Sequence, residues 1–499
     1  MKRVVISVFI LLYVASHAYA QLSAQKLIVA PRFQSILDSN KTVFISSEYE
    51  VSVFYAGALK RPRFMTLGPK NTVYVADMNA NHIFALPDRD HDGIADSAII
   101  VSPIVDSAHS CEFYNGALYV AEPSRIRKFL DKDGDGFYES EEPFIKGIGS
   151  TGPYNHYTRT ILFDTTGGHI YLGVGASCNA CREEDNDRAT ILQFNLDGSG
   201  KKIFASGLRN ALGLAINPWD HSLWATNADR DGLGDEIPPD LITSVREGSF
   251  YGWPFAYGDR KWINFQTSPE YQALLPLTSA DTSHVSSMTS ADIFLRAHIT
   301  PMGILFYKDP RTYKKAPPPT AFIALHGSSS NGKKIGEGYE VISIVQDELT
   351  KSWTGSNFLK GFLTDSINYT YWGRPCGLIQ DSTGDIFLST DAGIPAIYRI
   401  HLKDHNSVSS MASSGQDLSV YPNPVATSAT ISYQSIRSST IKLELVDQLG
   451  RTISILLEGN SEATQFHIPL NVEAVPNGVY YLRLQTSAGA VIQKVIVTK

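Results

Sequence analysis

One pattern recurs through most of this chain and constrains its fold more than any other feature. A Gly, Asp or Asn turn is followed by a short alternating strand, then by another turn and another strand. Val73-Tyr74-Val75-Ala76-Asp77 follows Gly68-Pro69, and Leu118-Tyr119-Val120-Ala121 follows Gly116-Ala117. Further copies are Gly168-His169-Ile170-Tyr171-Leu172-Gly173, His221-Ser222-Leu223-Trp224-Ala225-Thr226 and Gly384-Asp385-Ile386-Phe387-Leu388-Ser389. Second strands follow in places, as in His82-Ile83-Phe84-Ala85-Leu86 and Ala396-Ile397-Tyr398-Arg399-Ile400. Period-two alternation bounded by turn residues predicts strands. Repeated strand pairs with few long helical patterns predict an all-β protein built from propeller blades of about four strands each. A β-sandwich is the alternative, but it does not easily consume about 350 residues as one unit. The repeats diverge too far to be counted, and six blades is the expectation. The 38 Gly, 25 Pro and 24 Tyr of the 499 residues suit such a turn-rich, aromatic β architecture.

The two ends read differently. Lys2-Arg3, an apolar run from Val4 to Val14 and Ala18-Tyr19-Ala20 before Gln21 form a signal peptide over 1–20. The apolar run is shorter than the ~20 residues that span a bilayer, so cleavage and export are predicted, with no membrane-spanning segment in the mature chain. Residues 21–45 read as an N-terminal extension and 46–401 as the propeller. The polar, Ser-rich stretch 402–416 reads as a linker. Beyond it, alternating runs such as Ile441-Lys442-Leu443-Glu444-Leu445-Val446 and Val479-Tyr480-Tyr481-Leu482-Arg483-Leu484 predict a small Ig-like β-sandwich over 417–499. With 43 basic and 50 acidic residues the formal charge is −7, which argues against a general nucleic-acid binder or a polybasic membrane binder.

Four cysteines are too few for a disulfide scaffold. Cys178-Asn179-Ala180-Cys181 is followed by Arg182 rather than His, so it is not a haem-attachment site. Local pairing of Cys178 with Cys181 is expected; pairing of Cys111 with Cys376 stays open. Two acidic loops carry metal-ligand spacing. Asp88, Asp90 and Asp92 with Gly93 stand at positions 1, 3, 5 and 6 of the first, and Asp96 at position 9. Asp131, Asp133 and Asp135 with Gly136 repeat this in the second, with Glu142 at position 12. Such oxygen ligands wrap a hard cation, so calcium is expected, structural rather than sensory, since both loops fall between strands. Solvated Asp/Gly turns are the alternative.

The C-terminal segment contains Tyr421-Pro422-Asn423-Pro424, Asp447-Gln448-Leu449-Gly450-Arg451, Pro476-Asn477-Gly478-Val479-Tyr480-Tyr481-Leu482 and the ending Lys494-Val495-Ile496-Val497-Thr498-Lys499. This series resembles the C-terminal sorting domain of type IX secretion cargo. The resemblance implies passage through the periplasm and then the type IX secretion machinery to the surface or beyond.

The central region is dense in polar groups at predicted strand starts. These include Tyr154-Asn155-His156-Tyr157-Thr158-Arg159, Gly207-Leu208-Arg209-Asn210, Asn227-Ala228-Asp229-Arg230-Asp231, Gly252-Trp253-Pro254, His326-Gly327-Ser328 and Trp372-Gly373-Arg374-Pro375. In a propeller, such loops converge on one end of the channel and would bring a His base and several Arg together. Over roughly 50–400 these residues resemble the soluble quinoprotein glucose/sorbosone dehydrogenase family, closest to its sorbosone-like branch. The resemblance implies pyrroloquinoline quinone (PQQ) held beside Ca2+, and oxidation of a sugar or aldehyde with hydride passing to PQQ. It places His156 as the catalytic base, Arg209 and Asn210 as the cofactor-binding pair, and Arg374 as a later cofactor-binding arginine. The backbone oxygens of Ala228 and Asp229 would hold the active-site calcium. Asn155 stands where glucose-oxidising members have an acid. After His-Gly-Ser the branch has Trp and Arg; here Lys333 and Lys334 follow, and either would serve the cofactor's carboxylates. No fused cytochrome motif is present, so a separate electron acceptor is implied. Two other classes stay open: a non-catalytic secreted propeller that binds glycan or protein, and a calcium-dependent lactonase-type propeller.

Overall fold

The computed structural model describes residues 22–149, 156–309, 319–329, 333–347, 349–403, 418–434, 439–447, 451–461, 465–486 and 489–499. The predicted signal peptide and most of the predicted linker lie outside these residues. The chain divides into two units, with the break between Leu402 and Lys403.

Among the described residues the first unit holds six sheets of four or five strands, beside a few two-stranded ladders. The first sheet holds Pro62–Leu67, Val73–Asp77, His82–Leu86 and Ile99–Ile100; the second runs from Ser110–Tyr114 through Ala117–Glu122 and Arg125–Leu130 to Ser140–Lys146. The third opens with Arg159–Asp164, the fourth with Ala211–Ile216, the fifth with Pro301–Phe306 and the sixth with Gly373–Gln380. Within each sheet consecutive strands pair antiparallel, as short turns between alternating strands dictate. The sixth sheet is completed by the early strand Tyr49–Ala56, which pairs with Ala396–Leu402. The two ends of the unit are thereby tied into one sheet. The predicted extension forms its own ladder, Leu22–Lys26 against Thr42–Ser46.

The opening strands of the six sheets lie side by side in a closed ring. Four of the joints are made by a small hydroxyl side chain on a neighbouring carbonyl, and one by a backbone hydrogen bond. Phe64 donates its N–H to the His109 carbonyl, closing sheet one on sheet two. Ser110 Oγ donates to Arg159 O at 2.9 Å, and Thr160 Oγ1 donates to Leu212 O. Thr226 Oγ1 donates to Met302 O at 2.7 Å, and Ser389 Oγ to Arg63 O at 2.6 Å. At Gly213 a Cβ would lie 2.1 Å from the Met302 carbonyl oxygen, so no larger residue lets sheets four and five approach this closely. Apolar clusters fill the spaces between successive sheets, such as Ile161, Ile170, Leu172 and Phe194 with Tyr119 and Ile126.

Between Val245 and Ile293 the fourth sheet carries an insertion with two short helices, Pro269–Gln272 and Ser279–Ser286. Thr278 caps the second through a reciprocal pair with Asp281. The insertion packs Phe255, Ile263, Tyr271 and Leu274 against Ala180.

The second unit is two antiparallel sheets. One has Leu418–Tyr421, Ser428–Gln434 and Gln465–Asn471; the other has Ser439–Val446, Thr452–Ser461, Gly478–Thr486 and Gly489–Val497. Ile431 and Leu470 from the first share a core with Leu443, Leu445, Leu482 and Val495 from the second. Among the described residues no helix is long and apolar enough to cross a membrane.

Candidate functional site

The leading ends of the six ring strands carry an unusual set of side chains. Arg159 begins its strand, His109, Asn210 and Thr300 immediately precede theirs, and Arg63 and Arg374 are each the second residue of their own. Consecutive ring strands sit side by side, so these positions gather at one end of the ring.

His156 lies three residues before its strand. Its Nδ1 stands 2.8 Å from the Ala176 carbonyl oxygen. A carbonyl only accepts, so Nδ1 carries the proton and Nε2 keeps its lone pair. Burial, reinforced by the Arg209 charge, pulls the His156 pKa down to about 3. The ring is therefore neutral near pH 7. Gly175 makes room for it: a Cβ there would stand 2.4 Å from Asn210 Oδ1 and 2.6 Å from His156 Cβ. Thr158 Oγ1 donates to Asn210 Oδ1 at 3.3 Å. Tyr154 and Asn155 lie outside the described residues.

Arg209 is buried, and three of its N–H groups are tied within the protein. Nε donates to Asn179 O at 3.1 Å, Nη2 to Asn179 Oδ1 at 3.0 Å, and Nη1 to Asp229 O at 2.9 Å. A guanidinium has five such donors, so two are left over. Burial works against this charge and lowers its pKa, with Asp231, 3.9 Å away, opposing. A buried cation with spare donors suits an anionic ligand.

The Ala228-Asp229 segment runs beside this arginine. The Asp229 carbonyl spends one lone pair on Arg209, and its carboxylate is locked by the Arg230 N–H and Nε at 2.7 and 2.9 Å. Asp240, fully buried, accepts from the Asp229 and Thr300 N–H groups, 2.8 Å each, and burial pushes its pKa up to about 7. Among the described residues no cluster of metal-type side chains includes Asp229, so any cation here would rely on main-chain oxygens. Asp231 pairs with His298 Nδ1 at 3.2 Å, while His298 Nε2 donates to Gly234 O at 2.9 Å. Burial opposes the His298 charge, but these two acceptors outweigh it and raise its pKa.

A second group meets around Asp391. Its carboxylate takes His326 Nε2 at 2.6 Å, Arg63 Nε at 3.2 Å and Arg61 Nε at 3.4 Å. Burial works against the Asp391 charge, but His326 and Arg63 hold its pKa far below the usual carboxylate range. His326 is pulled down to about 4, chiefly by burial. Arg374 donates Nε to His326 O at 3.0 Å and Nη2 to Gly327 O, and its guanidinium lies over the Tyr339 ring, 5.2 Å from the centroid. His109 is fully buried beside Arg63 with neither ring nitrogen hydrogen-bonded, and its ring lies 4.7 Å from that of Phe64.

The lysines fall differently from expectation. Lys333 is buried, but its ammonium sits 3.0 Å from Glu337 and 3.6 Å from Glu236, so its charge is spent on carboxylates. Lys334 is exposed. Arg61, Arg63 and Asp391 escaped the sequence reading, although Lys60-Arg61-Pro62-Arg63 is a visible cationic run leading into a strand.

In the first acidic loop the carboxylates of Asp88, Asp90 and Asp92 lie within 4.8 Å of one another, whereas Asp96 pairs with Arg89 at 3.4 Å. In the second, Asp131 and Asp133 gather with Glu139. Asp135 Oδ1 accepts the Phe137 N–H at 2.7 Å. Glu142, expected as the terminal ligand, is instead drawn into the sheet: it faces Lys128 across the ladder and pairs with it at 2.6 Å. The ladder register, absent from loop spacing, decides this. Cys178 and Cys181 form a disulfide, while Cys111 and Cys376 are separate buried thiols, which removes the long-range pairing.

Residues 43–401 match the family described as TrAA12-like, and residues 419–498 match the secretion system C-terminal sorting domain. An uncharacterized protein of Borreliella burgdorferi is 23% identical over 397 residues, 77% of this chain and 97% of that one. The calcium structure of the Trichoderma reesei family AA12 enzyme superposes with a TM-score of 0.59 at 18% identity, covering 72% of this chain and 96% of that one. The holo form of the pyranose dehydrogenase PQQ domain from Coprinopsis cinerea gives a TM-score of 0.58 at 16% identity, over 75% and 99%. At these identities the superpositions speak for the fold.

Proposed function

The chain belongs to the TrAA12-like family, and from that premise we propose that it is an exported PQQ-dependent oxidoreductase acting on an aldose or related sugar or aldehyde. The observation that carries the reading is the neutral His156 with a free Nε2, set beside the buried Arg209–Asn210 pair. The six sheets are then the six blades of a propeller, and the second unit is an Ig-like sorting module recognised by the type IX secretion machinery.

The residues suit a carboxylated quinone. Arg209 offers two uncommitted N–H groups, Arg374 is held against the 326–327 backbone, and Arg61 and Arg63 outnumber their shared carboxylate, Asp391. Arg209, Asn210 and Arg374 would hold PQQ; the Ala228 and Asp229 carbonyls would face calcium. Lys333 and Lys334 contribute less than the sequence suggests. When bound, PQQ supplies a two-electron acceptor for the sugar's hydride. His156 Nε2 takes the hydroxyl proton as that hydride leaves carbon, and its Nδ1–H stays anchored on Ala176. Arg209 steadies negative charge with a fork that needs no reorganisation. A separate acceptor would take the electrons, and the two acidic loops would hold structural calcium through Asp88, Asp90 and Asp92 and through Asp131, Asp133 and Glu139.

The test is reconstitution of the purified protein with PQQ and calcium, followed by dye reduction across a panel of aldoses. A spectral change on PQQ addition with sugar-dependent dye reduction supports the reading. No spectral change removes PQQ chemistry and favours a glycan- or protein-binding propeller. Uptake of PQQ with no sugar turnover narrows the error to the substrate.

A further inference from the structure

Asn179 lies between the two half-cystines of the Cys178–Cys181 disulfide, and its polar atoms all point at the pocket's supports. Its carbonyl accepts from Arg209 Nε at 3.1 Å and Trp253 Nε1 at 2.9 Å. Its side-chain oxygen accepts from Arg209 Nη2 at 3.0 Å and from the Asp231 N–H at 2.8 Å. Its amide nitrogen donates to Asp231 O at 3.0 Å and to Glu270 at 3.2 Å. Glu270 also accepts the Ala180 N–H at 2.7 Å, and Tyr271 OH donates to Asp231 O at 2.5 Å. One asparagine therefore joins the Arg209 fork, the segment leading from Asp229 to Asp231 and the helical insertion.

We propose that Asn179, clamped by the Cys178–Cys181 disulfide, is the positioning residue that aims Arg209 and the 229–231 turn at an anionic ligand. The proposal rests on the reading of this pocket as the quinone's. An arginine with three N–H groups fixed at diverging acceptors presents the other two in a set direction, so its orientational entropy is lost before binding. Two of those three acceptors are on Asn179. A disulfide that closes over only two intervening residues fixes the Asn179 carbonyl more tightly than an open loop does. Both half-cystines are partly exposed, so a dithiol reaches them. Reduction adds two electrons and two protons to give two thiols, and the dithiol leaves as its own cyclic disulfide.

The experiment uses the full mature protein with Asn179→Ala and Asn179→Asp, the latter keeping a side-chain oxygen for Arg209 and Asp231. Two quantities are read: hydrogen exchange of the Asp231 amide without cofactor, and the PQQ dissociation constant by tryptophan quenching. Asn179→Ala should speed the exchange and weaken PQQ, each by about tenfold or more, whereas Asn179→Asp, which keeps the oxygen that accepts the Asp231 N–H but sets a carboxylate against Arg209, should keep the slow exchange and still weaken PQQ. Dithiol treatment of wild type should move both readouts the same way, and it carries the test if the alanine variant fails to fold. Unchanged exchange overturns the proposal. So does faster exchange with unchanged PQQ affinity, which marks Asn179 as merely structural. If wild type takes up no PQQ while Asp231 exchange still depends on Asn179, the functional reading falls and the clamp stands.

Discussion

His156 holds the Ala176 carbonyl through Nδ1 at 2.8 Å, and this one hydrogen bond fixes Nε2 as the nitrogen that keeps its lone pair. The His156 carbonyl is itself held by Arg159 and Arg188, 3.1 Å each, so the residue is fixed at both ends. Replacing it by alanine removes the proton acceptor but none of the Arg209 contacts. His156→Ala should therefore bind PQQ within a few-fold of wild type and lose about 10²–10⁴ in kcat. In the cofactor-free protein the His156 ring should stay neutral well below pH 6, because its pKa lies near 3. An NMR titration with a midpoint near 6.5 would contradict the buried geometry.

Asp391 carries the charge balance between the sixth and first sheets. Its carboxylate is the shared counter-charge of Arg63, which is buried, and of Arg61, whose side chain is 31% exposed. Asp391→Asn leaves a buried cation without its counter-charge and should cost about 3–5 kcal/mol. Arg61→Ala, nearer the surface, should cost about 1 kcal/mol or less. Denaturant unfolding of the two variants checks the ordering. Equal effects would mean that the Asp391 carboxylate is not needed for closure.

The same pairing shows what a linear reading could reach. Five sheets announced themselves through their second strands, each behind a Gly, Asp or His turn. The fifth sheet's second strand, Thr320–Leu325, follows Pro317-Pro318-Pro319 and has no such signal. His156, Arg209, Asn210 and Arg374 became visible through motif resemblance, since their spacing alone says little. Asp391 meets His326 across 65 residues and Arg61 across 330, and no local pattern encodes such contacts. Asn179 sat inside a motif read only for its cysteines.

The acidic loops separate two ligand assignments. Asp131 and Asp133 gather with Glu139, while Glu142 is held by Lys128 on the neighbouring strand. Calcium should raise the melting midpoint and a chelator should lower it. Glu139→Gln should shrink that difference, and Glu142→Gln should leave it unchanged. Midpoints measured with and without calcium decide the matter; the reverse ranking would restore the spacing-based ligand.

Glu112 sits on the ring strand of the second sheet and lines, with Ser110, Lys308 and apolar side chains of the other ring strands, a cavity of about 330 Å³. Burial alone pushes its pKa up to about 8. The folded state thus keeps a proton that the unfolded chain, with an ordinary glutamate near 4.5, has already released. Between those two values the folded state binds more protons, so this residue's contribution to stability falls as pH rises. The slope is at most about 1.4 kcal/mol per pH unit. Glu112→Gln has no proton to lose. Its stability relative to wild type should climb steadily from pH 5 to pH 8 and flatten above. Thermal unfolding of both proteins across that range gives the difference directly. A difference that stays level with pH would mean that the Glu112 carboxyl is ionised in the folded protein.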